Sequence, residues 1–197
     1  MAGAICLAAA AAFTAVAARR LGGPVLTAPN LLTLSRAGAA AMACGTAFSG
    51  RGRRVALAAL LMGCTVCDWL DGPLARRLGP TPLGAALDLE ADSWLTLWGS
   101  VAAFRLGGLP AVSLLPPALR YPQHLVAGAG VAPLRPWQRA AGVAQMAVIA
   151  WGLTSRRPPR AVVAMAACGQ LAALAAGLSG ALGFGHPSPS VQLRLPG

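Results

Sequence analysis

The chain has 197 residues, of which 56% are hydrophobic and only 11% charged, and its formal net charge is +11. The length fits one domain, and a mean hydropathy of +0.63 excludes an ordinary soluble composition. All sixteen cations are arginine. They are dispersed between apolar runs with few aromatics, which argues against a nucleic-acid partner and for charge at a membrane surface facing anionic lipid.

In chain order, residues 2–18 are Ala-rich and apolar, and Arg19 and Arg20 follow the run rather than precede it. A secretory signal has the reverse order, so this segment reads as a retained membrane or interfacial helix. Further helices are predicted at 30–50, 54–77, 82–104, 107–128, 137–154 and 160–183. Their breaks are marked by Gly22-Gly23-Pro24, the Gly/Arg stretch 50–54, Gly79-Pro80, Gly107-Gly108, Pro133 to Pro136 and Pro158-Pro159. Thr81 followed by Pro82 is a helix start, with threonine as cap and proline at the first helical position. The uncharged runs are shorter than the roughly 20 residues a span needs. Each span therefore takes in charged residues near an end, which arginine tolerates by snorkelling. The predicted class is an all-α polytopic membrane bundle. It comprises an apolar N-terminal helix and linker at 1–27, a membrane domain at 28–183 and an irregular tail at 184–197.

The five cysteines, Cys6, Cys44, Cys64, Cys67 and Cys168, are odd in number and fit no disulfide framework. Cys64-Thr-Val-Cys67 lies inside an apolar helix with no second pair to complete a zinc site, so packing is the expected role.

All five carboxylates fall between positions 68 and 92: Asp68, Asp71, Asp88, Glu90 and Asp92. An aspartate at the centre of a membrane helix costs roughly 2.5–3.5 kcal/mol, a cost that cation binding can offset. At 100° per residue, Asp68, Asp71, Gly72, Ala75 and Arg76 share one face of the third predicted helix. Gly84, Asp88 and Asp92, spaced by four, stack along one stripe of the next helix. Glu90 sits about 200° from Asp88 and points away, towards an arginine or the membrane interface. A short turn makes the two helices antiparallel neighbours, so four aspartates converge near one membrane face. Like charges this close do not all stay ionised alone. Two divalent cations, Mg²⁺ or its substitute Mn²⁺, balance four hard carboxylates and suit in-line phosphoryl chemistry. Gly72 and Gly84 clear room for a substrate, Arg76 presents a planar fork to phosphate oxygens, and Pro73 kinks the helix just after Asp71.

The spacing Asp68-x₂-Asp71-Gly72-x₂-Ala75-Arg76-x₇-Gly84-x₃-Asp88-x₃-Asp92 resembles the signature of the CDP-alcohol phosphatidyltransferase family, with all eight fixed positions matched. Upstream, Pro29-Asn30-Leu31-Leu32-Thr33-Leu34-Ser35-Arg36 is similar to the first-helix entry of the phosphatidylglycerophosphate and phosphatidylinositol phosphate synthase branches. The resemblance implies a six-helix membrane core, here with an extra N-terminal helix. It implies an enzyme of phospholipid biosynthesis that uses CDP-diacylglycerol and an alcohol acceptor and releases CMP. Asp68, Asp71, Asp88 and Asp92 would then bind two metal ions, and Asp92 would also be general base. Gly72, Ala75, Arg76, Gly84, Thr81, Asn30 and Thr33 would line the CDP-lipid. The resemblance further implies a homodimer in a bacterial-type cell membrane with its active site facing the cytoplasm, although arginine counts give that orientation only a weak bias.

Arg120 and Arg139 are cations on the acid-bearing side and candidates for a phosphorylated acceptor such as glycerol 3-phosphate; loop arginines at headgroup level are the alternative. Two other readings of the chain remain at this stage. A cation transporter would need polar groups through the bilayer midplane, whereas these acids sit at adjoining ends of two helices. An inactive family member would not need all eight positions intact.

Overall fold

A computed structural model describes residues 1–50, 53–78, 81–120, 136–155 and 158–181, the side chains of 69–78, 180 and 181 excepted. The described residues are helical, with no strand among them. Helix α1 spans Ala2–Leu21, α2 Ala28–Ser49, α3 Arg54–Leu78 and α4 Pro82–Leu106. A 3₁₀ turn at Ala111–Leu114 leads into α5, helical over 115–120. Helices α6 (Pro136–Thr154) and α7 (Arg160–Ala181) complete the bundle. Three segments, α1, α2 and Arg160–Ser179 of α7, are long and apolar enough to cross a membrane.

Local chemistry sets the helix ends. Thr27 caps α2, its hydroxyl accepting from the Asn30 amide, with Pro29 in the first turn. The helix therefore starts two residues before the expected position. Thr81 caps α4 through the Gly84 amide at 3.0 Å, as expected from Thr81-Pro82. Gly22 and Gly23 end α1 with positive φ angles of 68° and 97°, one turn beyond the expected limit. The segment predicted as one helix over 107–128 is not helical from its start. Gly107 to Pro110 are irregular, and helical geometry resumes only at the 3₁₀ turn.

The core is built from small residues on α2 set against larger ones on its neighbours. Ala39, Ala40, Ala43 and Ala47 share one core with Leu57 and Leu61 of α3 and Leu95 of α4, and Ile149 of α6 joins that core through α3 and α4. Small faces let membrane helices approach closely. Two of the close approaches bring glycines together. A Cβ on Gly3 would stand 3.2 Å from the Gly45 Cα, and one on Gly107 would stand 2.0 Å from the Gly152 carbonyl oxygen.

These contacts orient the bundle. The start of α1 meets the end of α2 through Cys6, Ala41 and Cys44, while Ala17, near its other end, meets Leu83 and Leu87 of α4. At one end of the bundle, the Gly108 amide bonds the Gly152 carbonyl, joining the ends of α4 and α6. The beginnings of α2 and α4 and the acid-bearing end of α3 lie at the other end, and α1 runs antiparallel to α2 along its flank.

Candidate functional site

Three helices converge at that other end. Asp88 and Asp92 are one turn apart on α4, and Asp68 comes from α3. One carboxylate oxygen from each lies within 4.8 Å of the others. Between them sits the guanidinium of Arg36, from the third turn of α2. Its Nη1 donates to Asp68 Oδ1 at 2.7 Å and to Asp92 Oδ1 at 2.6 Å. Its Nη2 donates to Asp88 Oδ1 and, at 3.3 Å, to Thr33 Oγ1. The Arg36 side chain is 4% exposed, whereas Asp68, Asp88 and Asp92 are 44%, 48% and 31% exposed. The cation therefore forms the floor and the carboxylates form an open rim.

The α2 face that carries Arg36 is polar at every third residue. Asn30 and Thr33 are both buried there. Asn30 donates through Nδ2 to the Pro24 carbonyl, and Thr33 Oγ1 donates to the Pro29 carbonyl. Gly84 faces Asn30 across the helix boundary. A Cβ at Gly84 would lie 2.9 Å from Thr81 Oγ1 and 3.2 Å from Asn30 Oδ1. The glycine lets two polar side chains fill space at the junction of α2 and α4, which refines its expected role of clearing room for substrate.

The i, i+4 stripe of Asp88 and Asp92 is present as expected, and Asp68 meets it from the neighbouring helix. The remaining residues of that face, Asp71, Gly72, Ala75 and Arg76, continue α3, but their side chains lie outside the described residues. Glu90 turns away from the cluster, as the helical angle requires. Its Oε1 accepts from the Trp94 indole at 2.5 Å rather than from an arginine. It lines a groove of about 460 Å³ between α1, α2 and α4, with Cys6, Cys44, Phe48 and Trp98 among its walls. Arg120 is half-buried near the described end of α5 and lies within electrostatic reach of Asp92. Arg139 is exposed at the start of α6.

Arg36 did not figure among the residues singled out as site candidates. The available signal was its isolation, since it is the only charged residue between Arg20 and Arg51.

The donor set fits a divalent cation. Three carboxylates offer oxygens within 4.8 Å of one another, all are hard donors, and all are partly exposed. Open carboxylates near a cation floor, at the adjoining ends of two helices, suit the handling of a charged phosphoryl group.

The family model described as CDP-alcohol phosphatidyltransferase matches residues 26–179. It covers α2 to α7 and leaves α1 outside. No curated protein and no solved structure matches the chain.

Proposed function

Because the chain belongs to the CDP-alcohol phosphatidyltransferase family, whose members transfer a phosphatidyl group from a CDP-alcohol to an acceptor, we propose that it is an integral membrane enzyme that uses CDP-diacylglycerol, takes a phosphorylated polyol such as glycerol 3-phosphate as acceptor, and releases CMP. The observation that carries this reading is the meeting of Asp68, Asp88 and Asp92, from two successive helices, within 4.8 Å. Buried Arg36 balances only one of the three negative charges, and the partly exposed remainder is what a bound cation would balance.

In this reading Asp68, Asp71, Asp88 and Asp92 hold Mg²⁺, with Mn²⁺ as a substitute. Bound Mg²⁺ supplies charge neutralisation at the pyrophosphate and makes its phosphorus easier to attack. Asp92 takes the proton of the acceptor hydroxyl. The acceptor oxygen then bonds to the phosphorus that bears the lipid, and the bond from that phosphorus to the CMP oxygen breaks. Arg76 receives the charge that develops on departing CMP. Asn30, Thr33, Gly72, Ala75, Thr81 and Gly84 form the wall of the CDP-lipid site. Arg120, within reach of Asp92, holds the acceptor phosphate, with Arg139 at the rim. The acid-bearing end faces the cytoplasm, where Arg19 and Arg20 at the end of α1 add to the positive charge on that side. The working unit is a homodimer.

The test is direct. Purified protein is given CDP-diacylglycerol, Mg²⁺ and a panel of acceptors: glycerol 3-phosphate, inositol phosphate, phosphatidylglycerol and serine. CMP release that depends on both the metal and one acceptor, with the lipid product identified by mass, supports the reading. Absence of CMP release with every acceptor refutes it.

A further inference from the structure

We propose that Arg36 is a built-in counter-cation for the acidic cluster, and that divalent cations enter by displacing its guanidinium from the carboxylates. This rests on the metal-dependent reading of the site given above. It concerns how the site is charged and loaded, not which reaction follows.

Four observations carry it. First, one side chain bridges carboxylates from two other helices. Arg36 on α2 bonds Asp68 of α3 and both Asp88 and Asp92 of α4, each through Oδ1. Second, the three carboxylates that hold the guanidinium are the same three whose oxygens gather within 4.8 Å, so the guanidinium and a metal ion draw on one set of negative charges. Third, the arginine is buried while the acids are open. Arg36 is 4% exposed, whereas the carboxylates are 31–48% exposed. Solvent therefore reaches the acids where it does not reach the arginine. Fourth, Arg36 Nε is buried with no hydrogen-bond partner among the described residues. The fork is held by its Nη groups, three of whose four bonds go to the cluster itself. The fourth, to Thr33 Oγ1 on its own helix, gives the displaced fork a place to remain.

The electrostatic logic follows. Without a counter-cation, three carboxylates within 4.8 Å repel one another and drive α3 and α4 apart. Arg36 offsets that repulsion before metal arrives. A divalent ion would bring twice the charge to the same three carboxylates.

The test uses the full chain in detergent micelles, with Mn²⁺ as probe and electron paramagnetic resonance to count bound ion. Arg36→Met keeps the length and removes the charge. It is expected to bind Mn²⁺ at least about tenfold more tightly than the wild type, because the competitor is gone and the site is one charge more negative. Its metal-free melting temperature falls, and the rise on adding Mn²⁺ grows. Binding that is unchanged or weaker overturns the proposal, since Arg36 would then only orient the ligands. A second measurement needs no variant. With ¹⁵N-arginine in the wild type, the exchange-protected Nη–H signals of the buried guanidinium are lost as Mg²⁺ is added; their persistence at saturating metal also overturns it. The two readings fail separately. A wild type that neither binds Mn²⁺ nor releases CMP sinks the functional proposal, whereas a wild type that does both, with weaker Mn²⁺ binding in Arg36→Met, sinks this inference alone.

Discussion

Gly84 on α4 and Asn30 on α2 meet so closely that a Cβ at Gly84 would stand 3.2 Å from the Asn30 Oδ1, with Thr81 Oγ1 nearer still at 2.9 Å. Asn30 is pinned by its bond to the Pro24 carbonyl, and Thr81 by capping α4, so neither side chain yields without losing a partner. Gly84→Ala is therefore expected to push α4 away from α2 at the end that carries Asp88 and Asp92. A cost of about 1–3 kcal/mol in stability follows from overpacking, and about a tenfold fall in CMP release follows from shifted carboxylates. Thermal unfolding in micelles and initial rates measure the two effects. Wild-type values for both would show that the contact is loose.

Asp88→Asn and Asp92→Asn separate ligand from base. Both remove a negative oxygen from the cluster, and each leaves Arg36 with two aspartate partners. Because asparagine costs less than aspartate in a membrane helix, both variants are expected to insert normally. Asp92→Asn is expected to lower kcat by about 10²–10⁴-fold, the range for a lost general base. Asp88→Asn is expected to weaken activation by metal, so its residual rate rises with added Mg²⁺ where that of Asp92→Asn stays low. Equal recovery of both variants in high Mg²⁺ would count against Asp92 as the base.

The acid stripe was legible because helical spacing alone fixes it. Gly84, Asp88 and Asp92 recur every four residues, and the same geometry turned Glu90 away from them, to where Trp94 meets it. Arg36 was not legible because its partners lie 32, 52 and 56 residues away. A single arginine in an apolar helix reads locally as one that snorkels. Helix ends show the same division. Thr81-Pro82 announces itself, and Thr27 is hidden only because the cap lies two residues before Pro29. Gly107-Gly108 likewise announces the break after Leu106, whereas the packing of Gly107 against Gly152 is a contact between helices that no local pattern encodes.

The Gly107–Gly152 contact makes a prediction at the opposite end of the bundle. A Cβ at Gly107 would meet the Gly152 carbonyl oxygen at 2.0 Å and that residue's carbonyl carbon at 2.7 Å. Both are backbone atoms, so no rotamer change relieves the clash, and the bond from the Gly108 amide to Gly152 would be strained as well. Gly107→Ala is expected to destabilise the protein by about 2–4 kcal/mol, at or above the usual overpacking range. The carboxylates lie at the other end, so the rate per folded molecule should stay within about twofold of wild type. Unfolding midpoints and active-site-normalised rates check this. A large loss of rate without loss of stability would mean that the far end is coupled to the site.

Arg120 makes a prediction about substrate choice. It is half-buried and within electrostatic reach of Asp92, so an acceptor hydroxyl presented to that carboxylate would bring its other end near the guanidinium. A phosphate there gains a planar fork of donors. Arg120→Gln is expected to raise KM for a phosphorylated acceptor by about tenfold while changing kcat little, the pattern of lost uniform binding. For an acceptor with no phosphate, KM should hardly move. Arg139→Gln, at an exposed position, is expected to do much less, because solvent screens it. Initial-rate measurements over a series of acceptor concentrations read both constants. An equal effect of Arg120→Gln on both kinds of acceptor would place the arginine with the CDP-lipid and its metal ions, and would remove the ground for a phosphorylated acceptor.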